Sequence, residues 1–166
     1  MDNIEVSVII PVKNEIRYIK KCIDSVLNQD FPKSNMEIIL ADGMSDDGTR
    51  DIIAGYENEY NFIRMIDNPK GTISCGLNLA IKAAKGEYIV RLDAHADYAP
   101  DYVSKCIYYH KNTDAANIGG PTVVKGQNPV QKAVAAAYYS PFALGGGKQH
   151  IDGYCGESDT VRNCRF

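Results

Sequence analysis

The chain has 166 residues, 45% of them hydrophobic and 23% charged, with 14 Gly and 7 Pro. That length fits one domain with a real core rather than two, and the composition excludes bulk disorder and low-complexity character. A formal net charge of -3 lacks the basic excess that holds a phosphate backbone, which excludes nucleic acid as the expected partner. The opening Met1-Asp2-Asn3-Ile4-Glu5 has neither the basic start nor the apolar run of a secretory signal. The longest wholly apolar stretch, residues 133–139, falls far short of the ~20 residues that span a bilayer. A soluble, cytoplasmic chain is expected. Its five cysteines (Cys22, Cys75, Cys106, Cys155, Cys164) are odd in number and include no C-x-x-C pair, which fits reduced thiols better than a disulfide framework or a zinc site.

In chain order, Val6–Val12 is a nearly continuous β-branched run ending in Pro11-Val12, the mark of a strand buried on both faces. After Lys13-Asn14-Glu15, the residues Ile16, Ile19, Ile23, Val26 and Leu27 recur at helical spacing until Phe31-Pro32 stops the helix. The alternation then repeats, predicting strands over 36–40, 62–66 and 87–92 and helices over 49–60 and 73–84. Such a βαβ series predicts an α/β sandwich with a mostly parallel central sheet flanked by helices and joined by right-handed crossovers. Beyond Pro100 the pattern loosens into a helix to Tyr109, a strand over 117–124 and an alanine-rich helix over 129–139. Residues 145–156 read as a glycine-rich loop. The lack of a stop signal at Phe166 suggests the front of a longer protein.

Parallel sheets bind ligands beyond the carboxyl ends of their strands, and three acidic residues fall at such ends: Glu15, Asp42 and Asp93. A lone carboxylate there is most often a cap or a solvated turn; three converging on one crevice point to a site. Asp42 opens the polar loop Asp42-Gly43-Met44-Ser45-Asp46-Asp47-Gly48-Thr49. Asp47 or Thr49 is expected to cap the next helix, leaving Asp42 free to accept a hydrogen bond from a ligand such as the imino N–H of a pyrimidine. The loop after the first strand has no G-x-G-x-x-G, which argues against a dinucleotide-binding unit. The strongest local signal is Leu92-Asp93-Ala94-His95. A carboxylate at a strand end and a second donor two residues on can face one cation, which in turn bridges phosphate oxygens. A lone histidine is more often a hydrogen-bonded surface residue, yet His95 stands where a divalent ion would take its second ligand.

Four segments in order, Val8-Ile9-Ile10-Pro11-Val12-Lys13-Asn14-Glu15, the 42–49 loop, 78–88 and Leu92-Asp93-Ala94-His95 in place of a D-x-D, resemble the nucleotide-binding half of a family 2 inverting glycosyltransferase. The D-A-H form is similar to enzymes of succinoglycan-type exopolysaccharide assembly. The resemblance implies a Rossmann-like GT-A sandwich, one domain over residues 1–166, best matched over 6–97, with 98–166 beginning the acceptor side. It also implies that Pro11, Val12 and Glu15 line the nucleotide pocket, that Asp42 holds the base, and that Lys70 reaches the nucleotide. Asp93 would contact ribose and the metal-diphosphate, and His95 would complete a site for Mn2+ or Mg2+. Leu77 stands where the family often has an arginine, which removes one contact. The general base is expected beyond Phe166, leaving the catalytic residue unassigned within this chain.

The implied function is metal-dependent transfer, with inversion, of a sugar from a nucleoside diphosphate sugar, a UDP-sugar, to a growing polysaccharide or lipid-linked saccharide. The full protein would work in the cytoplasm, at the inner face of the membrane through regions outside this chain. One alternative is a nucleotide-sugar-binding module without transferase activity of its own. The other, a sugar nucleotidyltransferase, expects a glycine- and arginine-rich loop after the first strand, which Lys13-Asn14-Glu15-Ile16-Arg17 does not supply.

Overall fold

The computed structural model describes residues 4–120, 128–138 and 156. Four parallel strands, β1 (Val6–Val12), β2 (Met36–Asp42), β3 (Ile63–Asp67) and β4 (Tyr88–Arg91), form one sheet in the order β3-β2-β1-β4. Five helices are α1 (Ile19–Leu27), α2 (Thr49–Glu59), α3 (Ile73–Ala83), α4 (Tyr102–Asn112) and α5 (Pro129–Tyr138). The expected α/β architecture is therefore present. The chain divides into two compact units after Ile107, within α4, so that α5 and the end of α4 belong to the second unit. Among the described residues no helix is long and apolar enough to cross a membrane.

The strand order explains the layering. From β1 to β2 to β3 the chain steps one way across the sheet, and the link from β3 to β4 runs back over both. Right-handed crossovers then put α3 on the face opposite α1 and α2. On α3's face Ile9, Ile39 and Ala41 pack against Ala80, with Leu77 and Ala83 at the margin. The alternate residues Val8, Ile10, Ile38 and Leu40 point to the other face and are equally inaccessible. Burying each such side chain contributes ~1.5–3 kcal/mol, which is why β1 and β2 read as unbroken apolar runs. Helix α1 buries Ile19, Cys22, Ile23 and Val26, one stripe at three- and four-residue spacing.

One boundary differs from expectation, and two expectations fall partly or almost wholly outside the described residues. Helix α1 begins at Ile19, because Ile16 lies in a turn whose amide is held elsewhere, and its side chain is 44% exposed. Of the strand expected over 117–124, residues 117–120 carry no regular structure and the rest lies outside the described residues. The glycine-rich loop over 145–156 also lies outside them except for Gly156.

Candidate functional site

Strand order reverses at β1, which has β2 on one side and β4 on the other, and an open cleft lies beyond the carboxyl ends there. Its walls come from three places. Pro11, Val12, Lys13 and Glu15 leave β1; Asn68, Gly71, Thr72 and Ile73 enter α3 beside Ala41; Asp93, Ala94 and His95 follow β4. Every wall belongs to the first unit.

The path of the chain after β1 is fixed by the loop after β2. Three successive backbone amides are each taken by one of its side chains: Asn14 N–H donates to Ser45 Oγ (2.8 Å), Glu15 N–H to Thr49 Oγ1 (2.9 Å) and Ile16 N–H to Asp47 Oδ2 (3.1 Å). Asn14 and Asp46 add a reciprocal pair, Asn14 Nδ2 donating to Asp46 Oδ1 at 3.0 Å and Asp46 N–H to Asn14 Oδ1 at 3.1 Å. Asn14 sits at φ +54°, a left-handed conformation that asparagine tolerates better than most residues. Asp47 also accepts from the amide (3.0 Å) and hydroxyl (2.5 Å) of Thr49, the first residue of α2; the N-cap position itself, expected at Asp47 or Thr49, is Gly48. The Thr49 hydroxyl bond, ahead of the opposing effect of desolvation, holds the Asp47 carboxyl below its ordinary range. The polar 42–49 loop is thus a clamp that sets the backbone bearing Glu15.

Asp42 is not the free carboxylate its position suggests. Expected as a free acceptor at the end of β2, it is fully buried and does not line the cleft. Ser45 donates its amide to Oδ2 (2.9 Å) and its hydroxyl to Oδ1 (2.6 Å). Arg50 bridges Asp42 Oδ2 (2.6 Å) and Asp67 Oδ1 (2.8 Å). Asp42 and Asp67 are register partners on adjacent strands, and without a shared cation two carboxylates at that spacing repel. In this structure Asp42 anchors the loop.

Across the cleft, His95 Nδ1 stands 3.3 Å from Glu15 Oε1, with the imidazole 65% exposed. Asp93 Oδ1 lies 3.2 Å from Arg91 Nη2. The Asp93 amide donates to Tyr98 Oη at 2.6 Å, which fixes the turn that carries both Asp93 and His95. Burial, the largest influence, pushes the Tyr98 phenol far up, so it stays protonated. Cys22 lies beneath the same turn, its Sγ 3.6 Å from the Asp93 carbonyl; burial first, then the negative charges of Asp93, Asp97 and Glu15, push its thiol up to about 12. It packs as an inert apolar group.

The structure thus brings Pro11, Val12, Glu15, Asp93 and His95 to one cleft and leaves out Asp42 and Lys70. Lys70 is exposed and lines no part of the cleft. Lys13 lines it instead, a residue that sequence reasoning passed over although it sits inside the Pro11-to-Glu15 segment. Carboxylate and imidazole donors in one cleft have the right chemistry for a divalent ion. Among the described residues, however, no three His, Cys, Asp or Glu side chains are gathered closely enough to hold an ion alone. They fit a metal that takes its remaining ligands from a bound anion.

Residues 7–158 match the family model described as Glycosyl transferase family 2. The chain is 33% identical over 147 residues to a dolichyl N-acetyl-alpha-D-glucosaminyl phosphate 3-beta-D-2,3-diacetamido-2,3-dideoxy-beta-D-glucuronosyltransferase of Methanococcus voltae, covering 84% of this chain and 46% of that protein. It is 32% identical over 143 residues to the succinoglycan biosynthesis protein ExoA of Rhizobium meliloti (strain 1021), covering 85% of this chain and 43% of that one. The chain therefore spans less than half the length of these relatives. Among solved structures, the mannosyltransferase PcManGT from Pyrobaculum calidifontis in complex with GDP-Man and Mn2+ aligns with a TM-score of 0.62 at 25% identity, over 74% of this chain and 36% of that one. S. aureus TarS 1-349 in complex with UDP-GlcNAc aligns with a TM-score of 0.59 at 24% identity, over 72% and 38%.

Proposed function

Because the chain belongs to glycosyl transferase family 2, we propose that its cleft is the donor site of an inverting, metal-dependent glycosyltransferase that uses a UDP-sugar. The observation that carries this reading is the convergence of Glu15, Asp93 and His95 on the crevice at the strand-order reversal. Similarity to proteins named as a dolichyl phosphate glucuronosyltransferase and a succinoglycan biosynthesis protein supports a saccharide or lipid-linked saccharide as acceptor.

In this reading the nucleoside enters against Pro11 and Val12, with Asp93 at the ribose and the diphosphate beside His95. Asp93 and His95 would hold a divalent cation, Mn2+ or Mg2+, which when bound would supply neutralisation of the leaving group. The acceptor hydroxyl attacks the anomeric carbon from the face opposite the diphosphate. One C–O bond forms as the other breaks, and its electron pair stays on the departing phosphate oxygen. The proton passes to a base. Glu15 and Asp93 already face His95 and Arg91, which supports a base other than these two carboxylates. Tyr98, held protonated, fixes the turn that presents Asp93 and takes no part in proton transfer.

The test is a calorimetric titration of UDP and GDP with Mn2+ or with chelator. UDP is expected to bind in Mn2+ and to lose most of its affinity in chelator. Equal binding in chelator overturns the metal bridge, and a preference for GDP overturns the uridine assignment.

A further inference from the structure

We propose that Lys13 is the counter-charge for the donor's diphosphate, and that Gly43 and Gly71 form the floor that aims it. The proposal rests on the donor-cleft reading above and names a residue which that reading does not use.

The first argument is the charge inventory of the cleft. Its formal charges are Lys13, Glu15 and Asp93. Arg91 beside it is engaged by Asp93, and Arg50 is engaged by Asp42 and Asp67. Lys13 makes no ion pair with any described residue. A diphosphate brings further negative charge to a cleft already holding two carboxylates, and Lys13 is the cleft's one permanent cation among the described residues.

The second argument is the path of the side chain. A Cβ built on Gly43 stands 3.2 Å from both Cβ and Cδ of Lys13, and one built on Gly71 stands 2.8 Å from its Nζ. The lysine stem therefore runs flat over Gly43 and ends at Gly71, and side chains at those positions would lift it. Gly71 also sits at φ +63°, a conformation glycine adopts without strain. The ammonium arrives at Gly71, one residue before Thr72, which caps the first turn of α3 by accepting from the Cys75 amide. A cation set against the positive end of a helix gains no stability from that place. An anion bound between the two is favoured by both. An ammonium is a compact point charge suited to phosphate oxygens, so the phosphates rather than the base are its partner.

The experiment compares affinities for uridine, UMP and UDP at fixed Mn2+, by calorimetry or by competition for the weakest, across wild type, Lys13→Ala, Lys13→Arg, Gly43→Ala and the double variant. Lys82→Ala, at the far end of α3, is the control. Lys13→Ala is expected to weaken UDP ~10–100-fold, the range for one lost charge-assisted contact, with uridine unchanged. Lys13→Arg restores most of the affinity. Gly43→Ala reproduces part of the loss and adds none to Lys13→Ala, since both act through one ammonium. Uridine binding reports that each variant is folded with an intact base pocket. Equal weakening of uridine and UDP overturns the proposal in favour of a base contact, and an effect no larger than that of Lys82→Ala makes Lys13 a bystander. If wild type binds none of the three ligands, the donor-cleft reading falls and this assignment falls with it.

Discussion

Strand β2 carries a buried carboxylate near each of its ends, and the two are held by the same kinds of group. At the amino end Glu37 accepts from the Ser7 hydroxyl (2.7 Å), the Lys85 amide (2.6 Å) and Arg64 (3.2 Å). At the carboxyl end Asp42 accepts from the Ser45 hydroxyl, the Ser45 amide and Arg50. The surroundings differ. The amino end is sealed by Gly86, whose amide donates to Ser7 Oγ at 2.8 Å and whose Cβ, if it had one, would stand 2.6 Å from the Ser7 amide nitrogen and 2.7 Å from the Val6 carbonyl carbon. Beyond the carboxyl end an open cleft holds Lys13, without an ion-pair partner among the described residues, and His95, largely exposed. A fully buried carboxylate held by serine and arginine thus fixes the chain at a strand end, and chemistry is to be sought among the exposed side chains of the cleft.

The sharpest way to break this contrast is Gly86→Ala. Its new methyl meets backbone that cannot swing aside, so a loss of about 3 kcal/mol is expected in denaturant unfolding, with UDP affinity per folded molecule unchanged. A change in UDP affinity would show that the two sheet ends are coupled. Next is Glu37→Gln, expected to lose about 2 kcal/mol through weakened bonds to a charged acceptor. Burial alone would raise the Glu37 carboxyl, but Ser7, Lys85 and Arg64 together outweigh it and hold it below its ordinary value. The folded pKa is the lower one, so the contribution is complete above the unfolded value of about 4.3 and is lost as pH falls through the folded value. Wild type and Glu37→Gln should therefore converge in stability on acidification below about pH 4. A gap that instead closes as pH rises above about 4 would show that the Glu37 carboxyl is raised rather than lowered in the folded protein. The smallest effect is expected at Thr49→Val, which removes the acceptor for the Glu15 amide at about 1 kcal/mol. It alone of the three should also weaken UDP binding, by a few-fold, because it loosens the backbone that carries Glu15. An unchanged affinity would detach the clamp from the cleft.

The sheet was legible because its two inner strands, β1 and β2, are buried on both faces: Val6–Val12 needs only its own residues to be recognised, and the helical stripe from Ile19 to Val26 is equally local. The cleft was legible in part. Glu15, Asp93 and His95 follow strand ends directly, so knowing the strands places them. Asp42 was misread because exposure at a strand end is decided by partners that periodicity does not reveal: Arg50 reaches back eight residues, and Ser45 folds over both oxygens. Lys13 and Lys70 exchanged places for a similar reason. Whether a lysine lies along a cleft depends on what it can lie upon, and the floor of Gly43 and Gly71 comes from two other loops.

The position of β1 at the centre of the sheet has a consequence for the order in which the molecule assembles. Val6 pairs with Met36 on one side and with Tyr88 on the other, and closing the second, longer loop costs more chain entropy. The β1-β2-β3 side can form from successive neighbours, whereas β4 docks only after the whole intervening chain has been gathered. The chain entropy of that longer closure therefore falls on the wall that carries Asp93 and His95, which joins Lys13, Glu15 and their clamp only when β4 pairs with β1.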